Sequence, residues 1–525
     1  MRLRILSTSD VHGNIYPTNF ATKDAYNPFG YLKDIAMIKQ IRQQYPDDVV
    51  VYIENGDFIE GAPMSSYAFK TQATDHFDQM FKELTQEAEA DVGILGNHEF
   101  NYGIDYIKQV WQDVTYPLLS ANILEDGQPL FAPYTVIEKQ GVKIGIVGVT
   151  TQYIPHWEEP EHVKHLTFQS ALTAAQKYVA QLRPVVDVVI LAYHGGFEAD
   201  LETGQPTETD TGENEGYKLL TQIPGVDAVV TGHQHRQIAT IVNGIPTTQP
   251  GYRGEKIGQI ILDLDENKQV VNAQAELLSV ASVPPDAKMS RLTASWKQAV
   301  DAWLDQPLTT ITGDMLIHDH LQARLYGHPY LELINQVEMA ATGADVASTA
   351  LFNNEIRGLD PQVTIRNILN GYPYPNTLVV ERVTGKDLRT ALERCASFFE
   401  VDDAGQVTVA QKFVYPKEQF YDYDFYSGID YTFDLRQPVG HRVVRLQYHG
   451  QELGDHDQVD LALNQYRGIG GGEYPMFSAD KIVRKYEDDV QGLLIDYLSQ
   501  HATYQAQQPT NLTIKYAVCK IKLEK

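Results

Sequence analysis

The chain has 525 residues, too many for one hydrophobic core, so two domains are expected, each large enough to bury most of its apolar surface. Hydrophobic residues at 43% and charged residues at 21% are ordinary for a globular protein, but 69 acidic against 42 basic side chains give a net charge of −27. Such a surface repels nucleic acid backbones and anionic membranes, so neither is expected as a partner, and an anionic substrate has to be held by local cations, most simply metals.

The two cysteines, Cys395 and Cys519, argue against a disulfide scaffold and a thiolate zinc site and read as buried free thiols. No apolar run reaches the roughly 18 residues a membrane span needs. The first motif begins too early to leave room for a signal peptide, so a cytoplasmic location is expected, with export of a form whose signal has been removed as the alternative.

In chain order, residues 3–7 form a short apolar strand followed by Asp10-Val11-His12-Gly13-Asn14, with Gly13 permitting a tight turn. Residues 31–45 have the spacing of an amphipathic helix, and 49–53 are a β-branched run that delivers Asn55-Gly56-Asp57 at its carboxyl end. A second helix is predicted over 73–90, then a strand over 92–95 that runs into Gly96-Asn97-His98-Glu99. Three successive strands thus carry metal-capable residues at their ends, where open α/β sheets place their sites.

Residues 134–138 and 140–150 read as a hairpin, 170–182 as a helix, and 185–193 as an apolar strand ending in His194-Gly195-Gly196. The polar segment 198–216 is expected to be a loop near the site mouth. Another strand, 226–231, ends in Gly232-His233-Gln234-His235, and strand-like stretches over 247–264 and 270–280 complete a first domain. After Val283-Pro284-Pro285, residues 289–304 read as one helix, so the expected division is 1–283, a linker over 284–308, and an α+β domain over 309–525. In the second domain, 330–342, 377–383, 386–399 and 443–448 carry helical and strand patterns, and 520–525 is a short charged tail.

Five fragments of the first domain supply Asp10 and His12, Asp57, Asn97 and His98, His194, and His233 with His235. Their oxygen and nitrogen donors, with no thiolate, suit Zn, Mn, Fe or Co. One aspartate such as Asp57 can bridge two ions roughly 3.5 to 4 Å apart, the spacing used for in-line displacement at phosphorus, where the bridging water becomes hydroxide near neutral pH.

In this order the motifs Asp-x-His, Gly-Asp, Gly-Asn-His-Glu, His-Gly and Gly-His-x-His resemble those of the calcineurin-like dinuclear metallophosphoesterases. The resemblance implies a four-layer α/β/β/α first domain and two divalent metals. Asp10, His12, Asp57 and His235 would hold one ion, and Asp57, Asn97, His194 and His233 the other. By the same likeness His98 would contact the phosphate and stabilise developing charge or protonate the leaving oxygen.

The distal half carries Asn353-Asn354-Glu355-Ile356-Arg357, a Tyr-Pro-rich run ending at Asn376, Tyr421-Asp422-Tyr423-Asp424, Gly428-Ile429-Asp430-Tyr431, and Tyr466-Arg467-Gly468-Ile469-Gly470-Gly471-Gly472. Arg357 can pair with a phosphate, and Tyr423 and Tyr466 can clamp a planar base, with glycines permitting close backbone approach. This half is similar to the C-terminal domain of the 5'-nucleotidase family, in which two aromatic residues at the positions of Tyr423 and Tyr466 sandwich the base. That family rotates its second domain to carry nucleotide to the metals, which would make 289–304 part of a hinge. The candidate substrate-binding residues are therefore Asn354, Arg357, Asn376, Tyr423, Tyr466 and Gly471.

Two positions depart from the 5'-nucleotidase and UDP-sugar hydrolase branch. Asn101 stands where that branch has the aspartate that orients the catalytic histidine, and Gly470-Gly471-Gly472-Glu473 stands where it has Gly-Gly-Asp. The run from Gly96 through Asn101 to Gly103 instead looks like the 2',3'-cyclic-nucleotide 2'-phosphodiesterase/3'-nucleotidase branch. An amide at 101 cannot carry the negative charge that would raise the basicity of His98.

The resulting expectation is a monomeric or homodimeric nucleotide hydrolase in which metal-bound hydroxide attacks phosphorus, with His98 and Asn101 as the catalytic pair. A 5'-nucleotidase or UDP-sugar diphosphatase is the near alternative. A non-nucleotide ester hydrolase and a binding protein with a relic metal site are more distant ones.

Overall fold

The structure is a computed structural model that describes residues 1–516 apart from positions 159, 209, 375, 403 and 416. Cys519 and the charged tail over 520–525 lie outside the described residues. The chain divides into two compact units, Met1–Asp301 and Ala302–Lys525.

The first unit is built on two six-stranded sheets. In one, Arg2–Thr8, Val49–Glu54, Val92–Ile94 and Leu118–Leu119 run parallel, with Lys256–Leu264 and Val270–Ser279 added antiparallel at one edge. In the other, Val142–Thr150, Val188–His194, Ala228–Val230 and Ile245–Pro250 run parallel, flanked by Tyr134–Lys139 and Gln237–Val242. Alternate residues of both sheets face each other: Leu3, Ile5, Val51, Ile53 and Ile94 share one dry core with Ile144, Ile146, Ile190 and Val230. Strands buried on both faces explain why these segments read as continuous apolar runs rather than alternating ones.

The outer face of the second sheet packs Val149, Val189 and Leu191 against Ala175, Val179 and Leu182 of helix Ala171–Leu182. That helix starts at Ser170, whose hydroxyl accepts the Thr173 N–H. Against the first sheet lie helices Tyr31–Gln44, Thr74–Glu87 and Gly103–Trp111, linked by edge-to-face contacts running Tyr31, Phe58, Phe81, Trp111. The order is helix, sheet, sheet, helix, a four-layer α/β/β/α sandwich.

Two predicted elements differ in detail, and one helix is additional. The stretch 247–264 is two strands in different sheets, Ile245–Pro250 and Lys256–Leu264, because the turn at Gly251–Gly254 carries the chain from one layer to the other. A helix not predicted, Pro63–Lys70, precedes Thr74–Glu87. The single helix expected over 289–304 is two, Ala287–Leu292 and Ala294–Leu304. The break is at Thr293, whose hydroxyl donates to the Met289 carbonyl, a local bond that competes with the helix.

The second unit has α+β structure around one core. Its central five-stranded sheet orders Asp424–Ser427, Val346–Ala350, Gln458–Asn464, Thr377–Thr384 and Ile482–Asp489. A four-stranded sheet joins Gln451–Glu452, Val443–Tyr448, Ile429–Asp434 and Leu512–Lys515. Helix Gly385–Ala396 opens with a reciprocal capping box between Thr384 and Asp387, and it buries Cys395 as a free thiol. Among the described residues no helix is long and apolar enough to cross a membrane.

Candidate metal centre

The strand ends of the first unit converge as backbone before they converge as side chains. Asp10 N–H donates to Gly56 O (2.9 Å), His12 N–H to Asp57 O (2.8 Å) and Gly13 N–H to Phe58 O (2.7 Å), so the Asp-x-His and Gly-Asp turns lie zipped together. Glu99, fully buried, ties in the third turn: its carboxylate accepts the N–H groups of Gly96 (2.6 Å), Asp57 (2.8 Å), Phe58 (2.7 Å) and Ile59 (3.4 Å). Gly96 is required here because a Cβ would fall 2.2 Å from Asp57 Oδ1.

Asp10, His12, Asp57, His233 and His235 all have positive φ, between 50° and 70°, a region that side-chain-bearing residues rarely occupy. Such strain is sustained where the surroundings fix it, and it gathers at functional sites.

Two groups of ligand atoms result, Asp10 with His12 and His235, and Asp57 with His194 and His233, the atoms of each lying within 4.8 Å of one another. Asp57 lies between them: its Oδ2 is 3.1 Å from His194 Nε2 and 3.7 Å from His12 Nε2. Asn97 Oδ1 is 2.8 Å from His233 Nδ1. All seven residues expected from the sequence as ligands thus lie near one another, with Asp57 between the two groups.

The donor chemistry fits two cations. His12 Nδ1–H donates to Glu60 O (2.9 Å), which leaves the Nε2 lone pair facing His235 Nε2 at 3.1 Å. His194 Nδ1–H donates to Asn55 O (2.6 Å), and the buried Nε2 faces Asp57 Oδ2 at 3.1 Å. Glu213 can only accept, so His233 Nε2–H donates to its Oε1 (3.0 Å), and Nδ1 is left facing Asn97 Oδ1 at 2.8 Å. Facing ring nitrogens, carboxylate oxygens and an amide oxygen gathered in one buried pocket suit a positive ion among them.

The charges are correspondingly perturbed. Burial pushes the Asp10 carboxyl up to about 7, with Asp57 adding to the shift and His194 opposing it. Burial holds His12 neutral, at about 3. Burial works against the charged forms of Asp57 and His194 as well, but their mutual attraction prevails, holding Asp57 well below the carboxylate range and raising His194 to about 10.

His98 sits beside this cluster, its ring 5.1 Å from that of His12, and its backbone N–H donates to Asp57 Oδ1 (2.8 Å). Its Nδ1 lies 2.8 Å from Asn101 Oδ1. Burial lowers its pKa, but Asp57 and the Asn101 bond outweigh that and raise it. The 198–216 segment reaches the centre through Glu213, and Trp157 stacks on His233 at 5.3 Å.

In the second unit the expected two-sided aromatic clamp is not formed. Tyr423 is 1% exposed, with the rings of Phe398 (5.1 Å) and Phe399 (5.0 Å) against it and its hydroxyl donating to Arg324 O (2.8 Å). It is a core residue here because its neighbours are aromatic and its polar tip is satisfied internally. Tyr466 is half-buried, and Gly471 lies flat on its ring: a Cβ there would be 2.7 Å from both Cε1 and Cε2. Gly471 thus permits close approach to Tyr466 rather than to a ligand.

Asn354 is exposed, with its Oδ1 held by the Arg324 guanidinium (2.8 Å), Arg357 is exposed, and Asn376 is half-buried with its carbonyl accepting from Val490 N–H. The residue that joins the Tyr421–Asp424 segment to the glycine loop is Arg467, to which the sequence reading gave no role. Fully buried, it grips Asp424 with two bonds (2.8 and 3.0 Å) and donates to Gly471 O and Tyr421 O.

Comparison with known proteins agrees with both halves. Residues 3–237 match the calcineurin-like phosphoesterase family and 312–479 the 5'-nucleotidase C-terminal domain. A Haemophilus influenzae 2',3'-cyclic-nucleotide 2'-phosphodiesterase/3'-nucleotidase is 27% identical over 94% of this chain and 84% of its own length. A Salmonella typhimurium protein of the same description is 28% identical over 89% and 81%. A Staphylococcus aureus protein assigned as a 5'-nucleotidase and solved with alpha-ketoglutarate superposes with a TM-score of 0.91 and 36% identity, covering 98% of this chain and all of that one.

Two adjacent ligand clusters with Asp57 between them, on a four-layer sandwich followed by a nucleotidase-type second unit, place this chain in the 5'-nucleotidase family, as a metal-dependent phosphoester hydrolase with a calcineurin-like phosphoesterase domain.

Proposed function

We propose that this protein hydrolyses 2',3'-cyclic nucleotides and nucleoside 3'-phosphates. The observation that carries the reading is the shared position of Asp57 between the two ligand clusters, joined to an amide rather than a carboxylate beside His98. The Haemophilus and Salmonella relatives, which bear that activity in their names and align along most of the chain, support the choice of substrate.

Divalent ions held by these residues, of the Zn, Mn, Fe or Co class that nitrogen and oxygen donors favour, supply an activated water and Lewis-acid stabilisation of phosphoryl charge. The protein supplies the rest. Asp57 and Asp10 set the negative charge that draws cations into a buried site. Glu213 holds His233 in the tautomer that leaves Nδ1 free to bind, as carboxylates beside metal-binding histidines do. His98, with Nδ1 engaged by Asn101, keeps Nε2 for the ester, where, with the ring protonated at both nitrogens, it stabilises charge or protonates the departing oxygen. Arg253 N–H donates to Asp10 O (2.8 Å), and its guanidinium lies 4.5 Å over Tyr252, whose ring stacks on His235. A cation at this edge favours phosphate on an otherwise acidic molecule.

Side-by-side hydrolysis of 2',3'-cyclic AMP, 3'-AMP and 5'-AMP tests the assignment: the first two are expected to turn over fastest. Dominant 5'-AMP turnover assigns the chain instead as a 5'-nucleotidase, a reading favoured by its similarity to the Staphylococcus protein. Purified protein is expected to carry close to two equivalents of transition metal; protein that neither contains metal nor is activated by added Mn or Co is a relic site.

A further inference from the structure

The amide at position 101 raises a problem that the neighbouring loop resolves. An asparagine side chain presents an acceptor on one side and a donor on the other, and nothing intrinsic decides which side faces His98. If the NH2 faced the ring, His98 Nδ1 would have to accept, and its proton would move to Nε2. An aspartate offers oxygen in either orientation and has no such ambiguity.

In the structure Asn101 Oδ1 faces His98 Nδ1 (2.8 Å), and Asn101 Nδ2 donates to Glu158 Oε2 (2.9 Å). The other carboxylate oxygen, Oε1, is 3.0 Å from His162 Nδ1. Glu158 is 7% exposed and follows Trp157, the residue that stacks on His233. A carboxylate accepts and never donates when ionised, so Glu158 admits one orientation of the amide, with nitrogen toward itself and oxygen toward His98. His98 must then carry a proton on Nδ1, whatever Nε2 holds.

We infer that Glu158 is a positioning residue for the hydrolytic reaction: by fixing which way the Asn101 amide faces, it secures the Nδ1–H hydrogen bond that orients the His98 ring, with the charge a family aspartate would carry at 101 displaced by one hydrogen bond. His162 anchors Glu158 in turn, so the chain of contacts runs His98, Asn101, Glu158, His162 from the centre to a partly exposed ring. The inference rests on the proposed function only in taking His98 as the group that acts on the ester. It does not depend on which nucleotide is the substrate.

The test combines kinetics with a direct readout of the Nδ1 proton. Glu158→Ala is expected to lower kcat on the order of ten- to a hundredfold, the loss of a hydrogen bond to a charged group, while KM stays within about twofold of wild type, the scale of a change in orientation rather than in substrate contact. Asn101→Asp is expected to slow the wild-type enzyme, by placing two carboxylates in contact, yet to restore Glu158→Ala to within a few-fold of wild type. That reversal of sign between the two backgrounds is not produced by a merely structural glutamate.

Selective nitrogen-15 labelling of histidine in Zn-loaded protein is expected to show His98 Nδ1 protonated in wild type and in the Glu158→Ala/Asn101→Asp double variant, and only partly so in Glu158→Ala. Bound metal is measured for each. Should Glu158→Ala fail to fold, Glu158→Gln keeps the shape without the charge, and Asn101→Asp is expected to rescue it likewise. Unchanged kcat, an unchanged Nδ1–H signal, or failure of Asn101→Asp to rescue a folded, metal-loaded variant overturns the inference. Assays use bis-p-nitrophenyl phosphate beside 2',3'-cyclic AMP, so inactivity of wild type on the nucleotide alone refutes the substrate assignment while the nitrogen shifts still decide the role of Glu158.

Discussion

Glu99→Gln isolates what one buried carboxylate does for the assembly of the centre. Each Glu99 oxygen accepts two backbone N–H groups, Oε2 from Gly96 and Asp57 and Oε1 from Phe58 and Ile59. A glutamine has one oxygen, so its NH2 must confront one of these donor pairs. The less damaging rotamer turns it toward Phe58 and Ile59, losing the 2.7 Å bond and the weaker 3.4 Å one. Hydrogen bonds to charged groups are worth roughly 1.5 to 3 kcal/mol, so the loss is about 2 to 4 kcal/mol. Burial and the Asp57 charge both push the Glu99 pKa up, so removing its charge offsets part of this and favours the lower end. Urea unfolding of the chelated protein, followed by circular dichroism, measures the change. Because the Asp57 and Asn97 turns hang on the same carboxylate, metal affinity by isothermal calorimetry is expected to fall at least about tenfold. Stability within about 0.5 kcal/mol of wild type together with unchanged metal affinity would refute the argument, since that size is ordinary for a surface substitution.

Asp57→Asn removes the shared ligand, and metal content by elemental analysis is expected to fall from two equivalents toward one or none, with kcat down by more than about a thousandfold. Tyr466→Ala is expected to raise KM for nucleotides by roughly five- to a hundredfold, the worth of one stacked base, with kcat on bis-p-nitrophenyl phosphate unchanged. Arg467→Ala strands the buried Asp424 carboxylate and is expected to destabilise the second unit by about 3 to 5 kcal/mol in urea titrations. Burial raises Glu381 to about 8, so the fold prefers its protonated form. Its contribution is complete below the usual carboxylate range and is lost as pH rises through about 8. Glu381→Gln is therefore expected to flatten the fall in stability over that window, and a parallel slope in both proteins would show that Glu381 does not titrate there.

The strand ends and their polar residues were legible because an apolar run that stops at Asp, Asn or His is a local pattern, and seven such residues in order leave few arrangements. The helices with clear periodicity were legible for the same reason, though the break at Thr293 was not, since a side chain bonding its own backbone leaves the apolar spacing intact. Tyr423 was misread as a ligand surface because a tyrosine in a loop motif carries no mark of what will cover it. Phe398 and Phe399 are some twenty-five positions away and reach it through the fold.

By itself the sequence determined which donors are present, and so the class of metal and of chemistry, because ligand type is fixed by side-chain identity. It also determined that Asn101 lacks a charge. Only the tertiary structure decided where that charge is made up, through Glu158, and which atoms of His12, His194 and His233 are left to bind, through Glu60, Asn55 and Glu213. These choices depend on contacts between segments far apart in the chain. A ring nitrogen's role is set by whatever its other nitrogen meets, and no local pattern records that meeting.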